Sequence, residues 1–277
     1  MLIDKSSQPL VSIIVPTKNS ANTLRACLNS IRSQSYQNFE LIVVDNFSND
    51  NTREIADAFG AIFYLIGPER CTQVNFGVSK AKGKYIYRVD SDFVLEQDVV
   101  KEAVECCEVL GYDAIIVHNT SDSSVSFWAR VRKMERDSYK TAKDTVSARF
   151  LKKYVFESIG GFDINLVAGE DYDLQNRLVR AGYRVGRIEA QEIHVGEPKS
   201  LREIFLKHYY YGQNIGSFIQ KDKRRALTQL SPFRFSVLKN FSKSYKEPIL
   251  LLGYLLYQVM RYCAAGLGML SKKLVKN

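Results

Sequence analysis

Two acidic clusters carry the chemistry open to this chain of 277 residues: Asp90-Ser91-Asp92 and Glu170-Asp171. The first closes Tyr85-Ile86-Tyr87-Arg88-Val89, a β-branched and aromatic run that reads as a buried strand, so its carboxylates stand at the strand's carboxyl end. In an open α/β sheet that edge is where ligands bind. Hard oxygen donors there suit Mg²⁺ or Mn²⁺, which take one or two carboxylates and complete their shell with water and substrate phosphates. The second cluster opens a helical stretch and suits a catalytic base. Asp171-Tyr172-Asp173 is also a D-x-D triplet, so position rather than pattern separates the two sites.

These acids need a sheet and helices to hold them, and the N-terminal half supplies the pattern. β-rich runs alternate with helical ones: 11–15 then 21–32, 41–44 then 52–59, 61–66 then 71–82, and finally 85–89. The alternation predicts an α/β fold with a mostly parallel central sheet flanked by crossover helices. Asn51 with Glu54 three residues on forms a capping-box-like pair, and Lys82-Gly83-Lys84 marks a helix stop. Residues 114–117 read as another strand, and 126–140 as a helix carrying the sole tryptophan, Trp128. Beyond Arg149 come a mixed segment, the turn Gly160-Gly161-Phe162-Asp163, a helix over 171–181 and a strand over 183–188. Ser200 is placed to cap a helix running through Glu203 to Ile219.

With 45% hydrophobic residues the chain can bury a substantial core, which excludes a disordered protein. Lys and Arg number 39 against 30 acids, and the net charge of +9 fits an anionic partner: nucleotide, nucleic acid or an acidic membrane surface. No nucleic-acid module or aromatic–basic repeat is visible, which argues against nucleic acid. Five cysteines, odd in number and without a C-x-x-C pair, argue against a disulfide framework. Residues 1–9 are polar and lack the apolar core of a secretory signal, so the bulk of the chain is expected on the cytoplasmic side.

Two further strand tips accompany Asp90. The first strand ends in Ile14-Val15-Pro16-Thr17-Lys18-Asn19 and the second in Val43-Val44-Asp45-Asn46. Pro16-Thr17 gives a rigid edge for a flat base, and Asp45 can accept hydrogen bonds from base N–H or ribose hydroxyls. Both tips also read as ordinary turns, where Pro, Asn and Asp predominate for conformational reasons. Arg70 can pair with a phosphate bidentately, or be a surface arginine.

Taken in order, the motifs resemble the inverting, family-2-type glycosyltransferases of GT-A fold. They are Ile13-Ile14-Val15-Pro16-Thr17-Lys18-Asn19, Val43-Val44-Asp45-Asn46-Phe47-Ser48-Asn49-Asp50, Arg70 with Asn75-x-Gly77, Ala81 to Ile86, Asp90-Ser91-Asp92, and Gly160-Gly161-Phe162-Asp163 followed by Gly169 to Leu174. The resemblance covers about residues 10–211. It implies transfer of a sugar from a nucleoside-diphosphate-sugar, UDP- or GDP-linked, to an acceptor hydroxyl. It further implies that Pro16, Thr17, Asn19 and Asp45 contact the nucleoside, that Asp90 lies by the ribose and metal, that Asp92 ligates the metal, and that Asp171 is the base. By the same resemblance His194 joins Asp92 on the metal, and the segments Ser126 to Arg136, with Trp128, and Arg149-Phe150 lie on the side of a saccharide or lipid-linked acceptor. A satisfied structural histidine and a simply packed amphipathic helix are the alternatives for these last two.

The chain departs from the family pattern in two places. Asp-Asn-Phe-Ser stands where many relatives have Asp-Asp-Gly-Ser, which leaves the donor's base open. The Gln-x-x-Arg-Trp signature of processive synthases is missing, with Tyr209-Tyr210-Tyr211-Gly212 in that region, so one sugar per encounter is expected. Glu170 beside Asp171, together with partial desolvation, would raise the base's pKa toward a useful value, although two first-turn acids also simply complement a helix dipole. The competing functions are a sugar-nucleotidyltransferase, weakened by the lack of a Gly-rich phosphate loop, and a non-catalytic nucleotide-sugar-binding protein, against which the intact acids argue.

After Ser200 basic residues thicken, among them Lys221, Lys223, Arg224, Lys239, Lys243 and Lys246, and residues 249–270 are almost uncharged. That length approaches the roughly 20 residues of a membrane span, yet Tyr254, Gln258 and Arg261 share one helical face. The expected organisation is a tail over 1–9, a GT-A catalytic domain over 10–220 divided into a nucleotide-binding half (10–117) and an acceptor-binding half (118–220), and a membrane-associating region over 221–277. The expected place is the cytoplasmic face of the cell membrane, on an anionic surface. The alternative for 249–270 is a packing or dimerisation helix, and with the latter a homodimer.

Overall fold

The computed structural model describes residues 8–140, 146–230 and 247–276. They form two compact units, one from residues up to 119 with 147–164 and 173–196, the other from 120–146, 165–172 and 197 onward. The basic stretch 239–246 and residues 1–7 of the expected tail lie outside the described residues.

The first unit is built on β1 (Val11–Thr17), α1 (Ala21–Arg32), β2 (Phe39–Asp45), α2 (Thr52–Ala58), β3 (Ile62–Leu65), α3 (Arg70–Lys80) and β4 (Tyr85–Arg88). All of β1 and β4 is buried, as continuous apolar runs require when helices cover both sheet faces. α1 shows why it docks: Leu24, Cys27, Leu28 and Ile31 recur at helical spacing and all are buried. Then follow β5 (Phe93–Leu95), α4 (Val99–Val109), β6 (Ala114–Ser121), α5 (Phe127–Asp137), β7 (Phe150–Lys152), α6 (Lys153–Ser158), α7 (Glu170–Arg180) and β8 (Val185–His194).

The sheet has eight strands in the order β3-β2-β1-β4-β7-β6-β8-β5. It is mixed. Strands β3, β2, β1 and β4 run parallel, as the alternation implies, whereas β4–β7, β6–β7 and β5–β8 pair antiparallel. Sequence order steps outward from β1 through β2 to β3, then returns to pair β4 with the other side of β1. That reversal opens a crevice at the carboxyl ends of β1 and β4.

Several local expectations are corrected. β8 runs ten residues to His194 rather than stopping at 188, and its buried positions are Gly186, Ile188, Ala190, Glu192 and His194. The inward face of its second half is charged, which hides a strand from hydrophobic alternation. β5 and β7 are three residues each, too short for any periodicity, and α4 opens on two β-branched valines. Asn51 sits at the N-cap of α2 but makes no side-chain cap bond; Asp50 takes that role, accepting from the Thr52 amide at 3.1 Å and its hydroxyl at 2.5 Å. The helix expected through Ile219 is two, α8 (Leu201–Asn214) and α9 (Gly216–Lys221). Ser200 does cap α8, accepting from the Glu203 amide at 3.2 Å while Glu203 accepts from the Lys199 amide at 2.9 Å.

The second unit packs α5, α8, α9, α10 (Lys223–Gln229) and α11 (Pro248–Lys276). α11 lies along α5 and α8 at close range: a Cβ at Gly253 would meet the Phe127 ring of α5 at 2.6 Å, and between α8 and α11 Gly212 and Gly268 face the backbones of Ala265 and Tyr209. The shared face named by Tyr254, Gln258 and Arg261 is the one turned inward. Arg261 donates from Nη1 and Nη2 to the two Glu135 oxygens at 2.9 and 3.0 Å, and Gln258 donates to Glu135 at 3.2 Å. Arg132 also pairs with Glu135. Burial opposes ionisation of Glu135, yet the Arg132 and Arg261 guanidiniums hold its carboxyl well below the usual range.

Candidate functional site

The register Thr17↔Asp45 sets the tips of β1 and β2 side by side. Thr17 Oγ1 donates to Asp45 Oδ1 at 2.7 Å, the Ser48 amide to Oδ2 at 2.7 Å, and Ser48 Oγ to Oδ1 at 2.6 Å. A carboxylate has about four acceptor sites, so the buried Asp45 spends most of its capacity shaping its own loop. Pro16 is buried in β1, and Asn19 is exposed, its Oδ1 accepting from the Asn49 amide at 3.0 Å. Gln73, which the motifs do not include, ties both tips from α3: its Nε2 donates to the carbonyls of Thr17 at 2.8 Å and Val44 at 2.6 Å.

Backbone strain marks the same edge independently. Among the described residues the non-glycine positions with positive φ are Asn19 at 48°, Phe47 at 51° and Glu69 at 68°. They follow β1, β2 and β3 in turn. Such conformations cost of order 1–3 kcal/mol each and cluster at ligand sites.

Asp90 sits in a clamp of three guanidiniums. Arg149 Nη2 donates to Oδ2 at 3.0 Å, Arg70 Nη1 reaches both oxygens at 3.4 Å, and Arg88 Nε lies 3.8 Å from Oδ1. Arg149 continues to Glu192, with Nη1 3.3 Å from Oε2, and Tyr87 donates its hydroxyl to Glu192 Oε1 at 2.6 Å. Burial works against a charged Asp90, but Arg88, Arg149 and Arg70 outweigh it and hold the carboxyl far below the ordinary range. Burial pushes the Glu192 carboxyl up.

The clamp corrects two expectations. Arg149, expected on the acceptor side, is buried beneath Asp90. Phe150 is fully buried, its ring 5.1 Å from Tyr85 and 5.9 Å from Tyr87, and belongs to the core. Trp128 lies in the second unit, half-buried, with its ring 6.4 Å from Tyr257. Arg88 and Glu192 were not singled out by sequence; the signal for both is a charged residue at an inward strand position.

Asp92 and His194 meet because β5 pairs with β8 in the register Phe93↔His194. His194 Nε2 lies 3.0 Å from Asp92 Oδ2, the Phe93 ring packs edge-on against the imidazole at 4.8 Å, and the Val195 amide donates to the Asp92 carbonyl at 2.9 Å. A Cβ at Gly196 would fall 2.7 Å from Asp92 Oδ2, so only glycine leaves that carboxylate its space. The Asp92 side chain is 34% exposed. Among the described residues no group of three or more His, Cys, Asp or Glu stands together as a metal-binding set; Asp92 and His194 are a two-residue pair.

Glu170 and Asp171 belong to the second unit and open α7. Gly169 precedes them at φ 84°, with the Phe218 ring where a Cβ would project. Glu170 is buried and Asp171 half-buried.

An α/β sheet with acids and arginines at its carboxyl strand ends is the arrangement in which ligands bind in the crevice beyond the strands. The sequence model of Glycosyl transferase family 2 matches residues 12–161, more than half of the chain, and the protein belongs to that family. It is similar to glycosyltransferase AglE of Haloferax volcanii, 28% identical over 195 residues covering 64% of each chain, and to glycosyltransferase GlyG of Streptococcus pneumoniae, 33% identical over 43% of this chain and 42% of that one. The chain thus matches less than two thirds of the length of these relatives. In fold it is similar to the mannosyltransferase PcManGT of Pyrobaculum calidifontis, solved with GDP-Man and Mn²⁺, at a TM-score of 0.65 and 16% identity over 99% of this chain and 90% of that one. It is also similar to glucosyl-3-phosphoglycerate synthase of Mycobacterium tuberculosis, solved with Mg²⁺ and UDP, at a TM-score of 0.57 and 17% identity over 78% and 80%.

Asp90→Asn leaves three guanidiniums short of their counter-charge and should lower stability by about 3–5 kcal/mol at pH 7. Because the folded pKa is depressed, the native contribution is complete above the unfolded value of about 3.9 and is lost as pH falls below it. Urea denaturation should give a gap between wild type and variant that is constant from pH 5 to 8, to within about 0.5 kcal/mol, and narrows below about pH 4.

Proposed function

We propose that the protein transfers a single sugar from a nucleoside-diphosphate donor to an acceptor hydroxyl with inversion at the anomeric carbon. The observation that carries this reading is the gathering of charged side chains at the ends of β1, β2 and β4. Arg70, Arg88 and Arg149 surround Asp90, with Arg149 reaching on to Glu192, and the part-exposed Asp92, two residues further on, pairs with His194. A diphosphate is a ligand that guanidiniums recognise, and Arg70 is the partly exposed member of the three.

Asp92 and His194 would hold a divalent ion there. A carboxylate oxygen and an imidazole nitrogen 3.0 Å apart, the former part-exposed, are donor types that such an ion accepts. When bound, Mn²⁺ or Mg²⁺ would offset charge on the departing diphosphate. Asp90 is left out of the ligand set in this reading, because three guanidiniums already surround it. Pro16, Thr17, Asn19 and Asp45 shape the nucleoside wall. Asp171 takes the proton of the acceptor hydroxyl as its oxygen bonds to the anomeric carbon from the face opposite the breaking sugar–phosphate bond.

The acceptor is lipid-linked or membrane-proximal, and the protein works at the cytoplasmic face of a membrane. α11 supports this: Pro248–Lys272 is long and apolar enough to cross a bilayer, with 28% of its apolar window buried. Its inner face holds Tyr254, Tyr257 and the Arg261–Glu135 pair, while Ile249, Leu252, Leu256, Val259, Leu267 and Leu270 are exposed. A helix with its ions inward and leucines outward matches apolar surroundings. Exposed Lys221, Lys223 and Arg224 add attraction to an anionic leaflet, about 1 kcal/mol each near the surface.

Three measurements test this reading. Calorimetry with Mn²⁺ and UDP or GDP should show metal-dependent binding that Asp92→Ala abolishes and His194→Ala weakens; unchanged affinity in both would place the metal elsewhere. Asp171→Asn should keep donor affinity within about twofold and cut turnover by about 10²–10⁴, the usual worth of a general base; near-wild-type transfer would remove Asp171 from that role. The full chain should pellet with anionic liposomes at low salt, and Leu252→Glu, Leu256→Glu and Val259→Glu together should leave it in the supernatant with nucleotide binding intact. A wild-type chain that stays in the supernatant would make α11 a packing or dimerisation helix.

A further inference from the structure

Phe47 is the least economical residue at the donor edge. It is a bulky side chain in the left-handed region, at φ 51°, and it is 61% exposed, so neither backbone preference nor burial accounts for it. The surrounding loop is nonetheless tightly fixed. Lys18 Nζ donates to the carbonyls of Asn46 at 2.5 Å and Phe47 at 3.0 Å, and the Ser48 amide and hydroxyl both anchor on Asp45. Across the loop the Asn19 amide donates to Ser48 Oγ at 2.6 Å. Asn19 and Phe47, both at positive φ just beyond the tips of β1 and β2, are thus stapled to each other's loops, and of the two side chains the one left unengaged is an aromatic ring.

We infer that Phe47 is a stacking platform for the donor's nucleobase. The inference rests on reading the crevice as a nucleotide site and adds a residue to it. A fixed backbone that holds an aromatic face in water orders the ring before the ligand arrives, which reduces the ordering cost of binding. Every nucleobase has a π-face, so such a platform supplies affinity without choosing between bases. Selection of the base is then left to hydrogen-bonding groups at the β1 and β2 tips. A packing role is at odds with the exposure. A turn-forming role is at odds with the residue type, since glycine or asparagine would occupy this φ at lower cost.

The test is calorimetric titration of the full chain and its Phe47→Ala, Phe47→Gly and Phe47→Trp variants with UDP, GDP, CDP and dTDP in Mn²⁺, and with inorganic pyrophosphate. Phe47→Ala and Phe47→Gly should weaken the nucleoside diphosphate that wild type binds by about 5- to 150-fold, the range of one base stack. Pyrophosphate affinity should stay within about twofold. Phe47→Gly should melt no lower than wild type, because it relieves the strained φ, and Phe47→Trp should restore affinity with emission that the nucleotide quenches and pyrophosphate does not. If wild type binds a nucleotide and both truncations bind it equally well, the platform is overturned while the nucleotide site stands. Equal loss of pyrophosphate and nucleotide would also overturn it, because the loop and not the ring would then be responsible. If wild type binds no nucleoside diphosphate, the nucleotide reading and the platform fall together.

Discussion

One buried carboxylate among three guanidiniums organises the strand-end edge of the sheet. Asp90 ends the last parallel strand, and its oxygens are shared by Arg88 from the same strand, Arg149 from beside β7 and Arg70 from the start of α3. Arg88 and Arg149 are not stable in the core alone, since an unpaired buried charge costs several kcal/mol, whereas Arg70 is partly exposed. Each is held because the others and Glu192 are in place. The clamp therefore couples elements distant in sequence and fixes the heights of β4, β7 and β8 at the crevice. The neighbouring Asp92 is left at the rim, paired with one histidine and part-exposed to solvent. Two acids two residues apart thus have different environments, one surrounded by guanidiniums and one part-exposed beside an imidazole.

Much of this was legible in the sequence, and what was not has a common cause. The β1 to β4 alternation is visible because its runs are apolar and its helices amphipathic. The second half of β8 was hidden because Glu192 and His194 occupy positions where a core strand has valines. Arg88 was read as part of an apolar run, and Arg149 and Phe150 as acceptor-side residues, although neighbours in β7 face opposite ways: the arginine to Asp90, the phenylalanine to the tyrosines of β4. Local pattern does not reveal which of two adjacent side chains faces the site. Only the antiparallel pairing of β4 with β7 decides it, and that contact joins residues more than sixty positions apart.

The second unit repeats the same physics with a different outcome. Glu135 is shared by Arg132 and Arg261, and His208, packed against Tyr257, is pushed down to about 3 by burial and the nearby Arg261 and Arg132. This pins the middle of α11 to α5. Arg261 interrupts an otherwise apolar helix; with Glu135 as its partner, the polar side of that helix is spent internally. The face that remains is hydrocarbon, and its exposure follows from where the ion pair had to point.

Strain and burial divide the labour in the first unit. The parallel half of the sheet buries nearly every residue of β1, β2 and β4 and supplies stability well in excess of any loop. Two of the left-handed non-glycine residues, Asn19 and Phe47, stand two positions beyond β1 and β2, where an unfavourable conformation of order 1–3 kcal/mol can be tolerated because the strand ends are fixed. A loop on a mobile support would relax out of such geometry. Gln73 and Asp45 prevent that by tying the strand tips to α3 and to each other, so the strained residues keep their side chains directed as the loops dictate whether or not a ligand is bound. Pre-organisation at this edge is therefore a property of the core beneath it.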